Sequence, residues 1–380
     1  MSHVEQKLAR VTRRGWTTLS LVAVLGAGAL LAGCGSGNGS SGSGSGGGAT
    51  GKKIALLLPE HTTARYETQD RPNFVNKVKQ LCPDCSIIYE NANQDASQQQ
   101  AQADSVLAQG IDAMVLDPVD AESASTIVAK ANAQNVPVIS YDRLVSNADL
   151  GAYISFDNVR VGRLQATALS NKLKQQGKAT GPIVMINGAP TDNNAHLFKQ
   201  GATAVFSKNG VKIGKSYDTP DWSAAEAQTE MQQAITALGN NGFAGVYAAN
   251  DDTGGAAIAA MKSAGINPAT RPTTGQDAEL AGIQRILAGT QYMTVYKAVK
   301  PEAQDAADMA VALAEGKPLP ANLINQHTDN GKKSVPSTIL TPVAVTKANI
   351  ESTVVKDRYW TPAQICTAAF ASACKAAGIH

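Results

Sequence analysis

The chain has 380 residues, 43% hydrophobic and 17% charged, an ordinary globular composition at a length that predicts two lobes rather than one. Its 33 Lys and Arg face 31 Asp and Glu, a formal +2. Lys7, Arg10, Arg13 and Arg14 against Glu5 place +3 in the first 34 residues, which leaves about −1 for the rest and excludes the basic field that nucleic acid needs.

The basic stretch ending at Arg14 precedes an apolar run over 19–32, long enough for a secretory leader and too short to span a bilayer. The run closes on Leu31-Ala32-Gly33-Cys34, which resembles the lipobox of bacterial lipoproteins. That resemblance implies a signal peptide over 1–34, acylation of Cys34, and a protein of the cell envelope held to the membrane from outside the cytoplasm. Residues 35–51 are almost pure Gly and Ser, without apolar surface to bury, and read as a tether of roughly 23 Å r.m.s. length.

Four further cysteines in an exported chain are disulfide candidates with three pairings open, and Cys82 with Cys85 and Cys366 with Cys374 are the local choices. Thr361-Pro362 reads as the N-cap and first residue of a helix. Eight residues of unbroken helix would set Cys366 and Cys374 about 12 Å apart, so their pairing requires that helix to break.

From Lys53 onward short apolar runs alternate with longer amphipathic ones, the pattern of strand, crossover helix and parallel strand. Strands are predicted at 54–58, 86–89, 113–116 and 138–141, with helices at 96–109 and 123–135 between them. A second series has strands at 183–186, 211–216, 245–248 and 293–295 and helices at 158–174, 194–208, 224–238 and 256–264. Two doubly wound parallel-sheet lobes of α/β class account for the count. Asp329-Asn330-Gly331-Lys332 reads as a tight turn.

Ligands of open parallel sheets sit outside the carboxyl ends of the strands, where crossover loops meet. Here those positions carry Asp142 and Arg143, then Asp192, Asn193 and Asn194, then Asn250, Asp251 and Asp252, then Gln276 and Asp277, then Lys297. Asn and Asp after a strand often cap the next helix, the role expected for Asn193 and Asp252. The Arg and Lys are not caps. Such a set suits a small, neutral, hydroxyl-rich ligand, since carboxylates and amides accept from hydroxyls while Arg and Lys donate. Tyr66 and Trp222, in loops after the first strand and after 211–216, offer flat faces for the C–H surfaces of a sugar ring.

The stretches Ala64-Arg65-Tyr66, Tyr141-Asp142-Arg143, Asp192-Asn193-Asn194-Ala195, Gly275-Gln276-Asp277-Ala278-Glu279 and Tyr296-Lys297, in that order, resemble the xylose-binding and multiple-sugar-binding proteins of bacterial ABC importers. The resemblance runs from about Lys53 to about Lys356 and implies the periplasmic binding protein type I fold, two lobes joined by three crossings. It implies an N-lobe over 52–155 and 299–339, a C-lobe over 156–298 and 340–358, and a C-terminal extension over 359–380 outside the family pattern. Arg65, Asp142, Arg143, Asn194, Asn250, Asp277 and Lys297 would then hydrogen-bond a monosaccharide, xylose or a related aldose such as glucose or galactose, between Tyr66 and Trp222. The implied partner is the membrane permease, the chain a monomer, and no cofactor or metal is expected. The family usually has Trp where Tyr66 stands, and the spacing from Tyr66 to Phe74 is one residue longer than in xylose-binding relatives.

Two other classes compete. A glycosidase would need Asp142 or Asp277 as general acid, but the adjacent Arg143 and Lys297 favour ionised carboxylates. A sugar-responsive repressor of this fold would carry a basic helix-turn-helix where this chain has a leader and a neutral linker. A sensory role, with the loaded protein docking on a membrane receptor, fits the same residues.

Overall fold

Uninterrupted apolar runs make central parallel strands, because helices cover such strands on both faces. In the computed structural model, which describes residues 51–379, Lys53–Leu58, Ala113–Leu116, Val138–Tyr141 and Ala152–Phe156 are strands of this kind, each buried from its second residue onward. The leader with Cys34 and the tether up to residue 50 lie outside the described residues. The four strands form the middle of a seven-stranded sheet, ordered Gln326–Asp329, Ser334–Leu340, Ala152–Phe156, Val138–Tyr141, Ala113–Leu116, Lys53–Leu58, Ser86–Asn91. Neighbours are parallel except the first pair, an antiparallel hairpin through the predicted Asp329–Lys332 turn, where Gly331 takes φ +89°.

A second sheet holds Ile213–Asp218, Ile183–Asn187 and Gly245–Ala248 in parallel, while Met293–Tyr296 pairs antiparallel with Val343–Thr346. The segment 272–276 links these two groups without being a regular strand. The Thr274 N–H donates to the Val246 carbonyl at 3.1 Å and the Val295 N–H to the Gly275 carbonyl at 3.0 Å. The chain passes between the two sheet systems after Phe156, after Tyr296 and after Leu340. On the second passage the helix Val299–Ala314 lays Ala303, Ala306, Ala307 and Ala310 against the core under the seven-stranded sheet.

Helices Asn158–Gln175 and Asn193–Lys208 approach closely because two glycines face the contact. A Cβ at Gly162 would fall 1.9 Å from the Phe198 carbonyl oxygen, and one at Gly201 would fall 2.1 Å from that of Val159. This pairing fixes the start of Asn193–Lys208, and with it Asn194.

Several expectations are corrected. The strand predicted at 211–216 begins at Ile213, because Gly210 at φ +67° ends the preceding helix and the Val211 N–H still donates to the Phe206 carbonyl. The helix predicted at 256–264 begins at Asp251, since Asn250 and Thr253 form a capping box that outweighs Gly254 and Gly255. The caps fall on Asp192 and Asn250, whereas Asn193 and Asp252, expected there, stand inside the first turns. Strands at Ala152–Phe156, Gln326–Asp329, Ser334–Leu340 and Val343–Thr346 were not foreseen. Both local disulfides form, with Cα separations of 5.3 Å for Cys82–Cys85 and 5.8 Å for Cys366–Cys374. The second is possible because the helix breaks: Pro362–Ile365 ends at Cys366 and a new helix runs over Ala371–Ala377.

Candidate ligand-binding site

After the strand Lys53–Leu58 the Glu60 carboxylate accepts from the N–H groups of Thr62 and Thr63, which turns the chain toward Arg65. Tyr66–Asp70 then forms a π-helical turn. Such a wider turn is a device that recurs at functional sites. Arg65 is 2% exposed. Its Nε and Nη2 donate to Asp70 at 3.0 and 2.6 Å, Nη2 also to Glu302 at 2.8 Å, and Nη1 stands 3.4 Å from Asp142 and 4.0 Å from Asp277. Burial alone would lower its pKa, but Asp142, Asp70 and Glu302 more than offset that, so the guanidinium stays charged.

Asp142 follows the strand Val138–Tyr141 at φ +51°, Asp277 follows the segment 272–276 at φ +86°, and Lys297 follows Met293–Tyr296. The Lys297 Nζ lies 3.6 Å from Asp142 Oδ1 and 3.3 Å from Asp277 Oδ1. Neither oxygen accepts an aligned hydrogen bond, nor does Gln276 Oε1, although all three are buried. Buried acceptors whose hydrogen bonds are unmade or poorly aligned keep capacity that further donors can fill. Burial alone would raise the Asp142 pKa; Arg65, Lys297 and Arg143 outweigh it and hold the carboxyl below the usual range. Burial alone would lower Lys297, and Asp142 and Asp277 reverse that. Asp142 therefore stays ionised, unsuited to a general acid and suited to accepting from hydroxyls.

Arg143 reaches across from this side. Its Nε lies 3.1 Å from Asp192 Oδ2 and 3.7 Å from Asp117, and its Nη2 donates to the Tyr66 hydroxyl at 3.3 Å. Asp192 caps Asn193–Lys208 through the Asn194 N–H at 2.8 Å and accepts from the Trp222 indole N–H at 3.1 Å. Asn194 donates through Nδ2 to the Asp142 carbonyl at 3.1 Å and accepts from Asn158 at 2.8 Å. Trp222, at φ +55°, lays its ring on Gly188, where an added Cβ would fall 2.1 Å from the indole, and meets Phe198 edge-on at 6.4 Å between centroids. Asn250 spends its side-chain oxygen on the Thr253 N–H and hydroxyl, so it is both a cap and a lining residue.

Arg65, Tyr66, Asp142, Arg143, Asn194, Trp222, Asn250, Asp277 and Lys297 all line one small cavity between the two sheet systems. Thr63, Asp192, Phe198 and Gln276 complete the lining. Phe198 and Gly188 are not singled out by the sequence, since a Phe inside a helix reads as core; Asp192 is read there as a loop carboxylate, with no sign of its ion pair to Arg143. Among the described residues no group of three His, Cys, Asp or Glu is placed to hold a metal, and no helix is long and apolar enough to cross a membrane.

A buried, polar, aromatic-flanked cavity at the carboxyl ends of two open α/β sheet systems defines a two-lobed ligand-binding protein. The chain belongs to the periplasmic binding protein family, whose domain model matches residues 54–318. It is 37% identical over 317 residues to the D-xylose-binding periplasmic protein of Haemophilus influenzae, covering 82% of this chain and 92% of that protein. It is 30% identical over 328 residues to the multiple sugar-binding periplasmic receptor of Rhizobium radiobacter, covering 82% and 92%. Among solved structures, an ABC transporter solute binding protein of Clostridium phytofermentans with bound β-D-glucose superimposes with a TM-score of 0.74 at 27% identity, covering 83% of this chain and all of that one. The fold is periplasmic binding protein type I, and the chain is an extracytoplasmic binding protein rather than an enzyme.

Proposed function

We propose that the chain captures one aldose, xylose or a relative such as glucose or galactose, and delivers it to the permease of an ABC importer. One observation carries this reading: Asp142 Oδ1 and Asp277 Oδ1, buried and ion-paired to Lys297 without an aligned hydrogen bond, keep accepting capacity in a cavity that Tyr66 and Trp222 also line. Ionised acceptors beside fixed cations suit hydroxyls that both give and take hydrogen bonds, and the aromatic rings suit the apolar faces of a pyranose. The names of the relatives, which bind xylose, several sugars or glucose, support the same ligand class.

In this reading the lobes 52–155 with 299–339 and 156–298 with 340–358 close over the sugar by hinge bending at the three crossings. The Leu31–Cys34 pattern anchors the protein through lipidated Cys34. The test is to incubate the protein with candidate sugars and follow them by NMR, where binding without chemical change is expected. A product that scales with protein concentration and is lost in Asp277→Ala overturns the reading. The anchor is tested by Cys34→Ala, which should release the protein from membranes.

A further inference from the structure

The family model ends at residue 318 and the resemblance fades after Lys356, yet the segment from Tyr359 onward is built into the core of the molecule. Tyr359, Trp360, Ile365, Cys374 and Ile379 are buried in one cluster with Ala278, Ile283 and Tyr296. The Cys366–Cys374 disulfide closes this segment on itself, and Gln284 donates to the carbonyls of Gln364 and Ile365 at 3.4 and 3.3 Å.

Its first two buried residues grip the backbone of the ligand site. The Tyr359 hydroxyl donates to the Asp277 carbonyl at 3.2 Å, and the Trp360 indole N–H donates to the Ala278 carbonyl at 2.8 Å. On the other side the Asp277 N–H donates to the Val295 carbonyl at 2.8 Å and the Ala278 N–H to the Thr294 hydroxyl at 3.2 Å. All four backbone polar groups of this dipeptide are therefore held. The grip falls where it is needed: Asp277 and Ala278 sit at φ +86° and +49°, left-handed conformations that residues other than glycine keep only when their surroundings hold them. The Tyr359 carbonyl also accepts from Gln69, in the π-helical turn that directly follows Arg65, at 3.2 Å.

We propose that Tyr359 and Trp360 are positioning residues of the ligand site, holding Asp277 in the left-handed turn that aims its carboxylate into the cavity. The proposal rests on Asp277 being a ligand-binding residue. If the dipeptide relaxes, the binding-competent arrangement is only partly populated, and apparent affinity falls by that fraction.

The experiment compares full-length wild type with Tyr359→Phe and Trp360→Phe, which remove one donor each and keep an aromatic ring in the core. The double variant Cys366→Ser with Cys374→Ser loosens the segment as a whole. Three quantities are read: calorimetric Kd for xylose and glucose, hydrogen exchange of the peptide covering 275–280 in ligand-free protein, and Tm. Each Phe variant should weaken binding about three- to thirtyfold. Each should also speed exchange at 275–280 and move the xylose-to-glucose affinity ratio in the same direction as Asp277→Ala. The loosened segment should do the same. A lower Tm with unchanged Kd, ratio and exchange in both Phe variants would show a merely structural segment and overturn the proposal. If wild type binds none of the sugars, the ligand reading itself fails, and unchanged exchange at 275–280 then overturns the positioning role while faster exchange upholds it.

Discussion

The Arg143 Nε lies 3.1 Å from Asp192 Oδ2, both groups buried, and joins the loop after Val138–Tyr141 of the seven-stranded sheet to the helix cap after Ile183–Asn187 of the second sheet. In the proposed hinge motion this ion pair forms only on closure. Asp192→Asn keeps the cap, since Asn caps as well as Asp, and removes the charge. A buried cation that keeps only the more distant Asp117, at 3.7 Å, is costly, so ligand affinity should fall roughly ten- to a hundredfold. Small-angle scattering of the variant with saturating sugar should show a larger radius of gyration than wild type; equal affinity and equal size would contradict the closure role.

Affinity and selectivity should separate between Asp277 and Trp222. Asp277→Ala removes a charged acceptor and leaves donors unpaired, at about 2–5 kcal/mol, chiefly for sugars whose hydroxyl points there. Trp222→Ala removes a flat apolar face at a comparable cost and should weaken all pyranoses evenly. Gly188→Ala, whose methyl would collide with the indole, should mimic Trp222→Ala rather than Asp277→Ala. Titrations with xylose, glucose and galactose decide; near wild-type affinity of Asp277→Ala for every sugar contradicts its role.

Stability should carry a pH signature from Asp251. Its carboxylate accepts from the Glu279 N–H and the Thr294 hydroxyl at 2.9 Å each and from Gln291 at 2.5 Å, and burial pushes its pKa up to about 7. A carboxyl raised on folding favours the native state while protonated, so this contribution is lost as pH rises from about 4 to about 7. The fall in Tm between about pH 5 and pH 8 should therefore be smaller in Asp251→Asn than in wild type. An equal fall would show that Asp251 does not titrate in that window.

What was legible in the sequence was what burial writes into it. Continuous apolar runs such as Ile54–Leu58 exposed the central strands, and polar residues directly after them exposed the site, because a parallel sheet leaves its carboxyl ends to the loops. The strand Gln326–Asp329 was illegible because it is an edge with little burial on either face, so no period of two survives. The segment 272–276 was illegible as a linker because its hydrogen bonds come from two different sheets. Asp192 reads from sequence as one more loop carboxylate, although its second oxygen joins Arg143 to Trp222. Gly188 gave no signal, since only the folded position of Trp222 shows why a side chain cannot stand there.

The most direct test of the central claim is isothermal titration of xylose, glucose, galactose, arabinose and ribose into the protein lacking residues 1–51. The account predicts one site, saturable binding by xylose or a close pyranose relative, and loss of that binding in the double variant Asp142→Ala with Asp277→Ala. No heat from any of the five sugars, or unchanged binding in that variant, would contradict it.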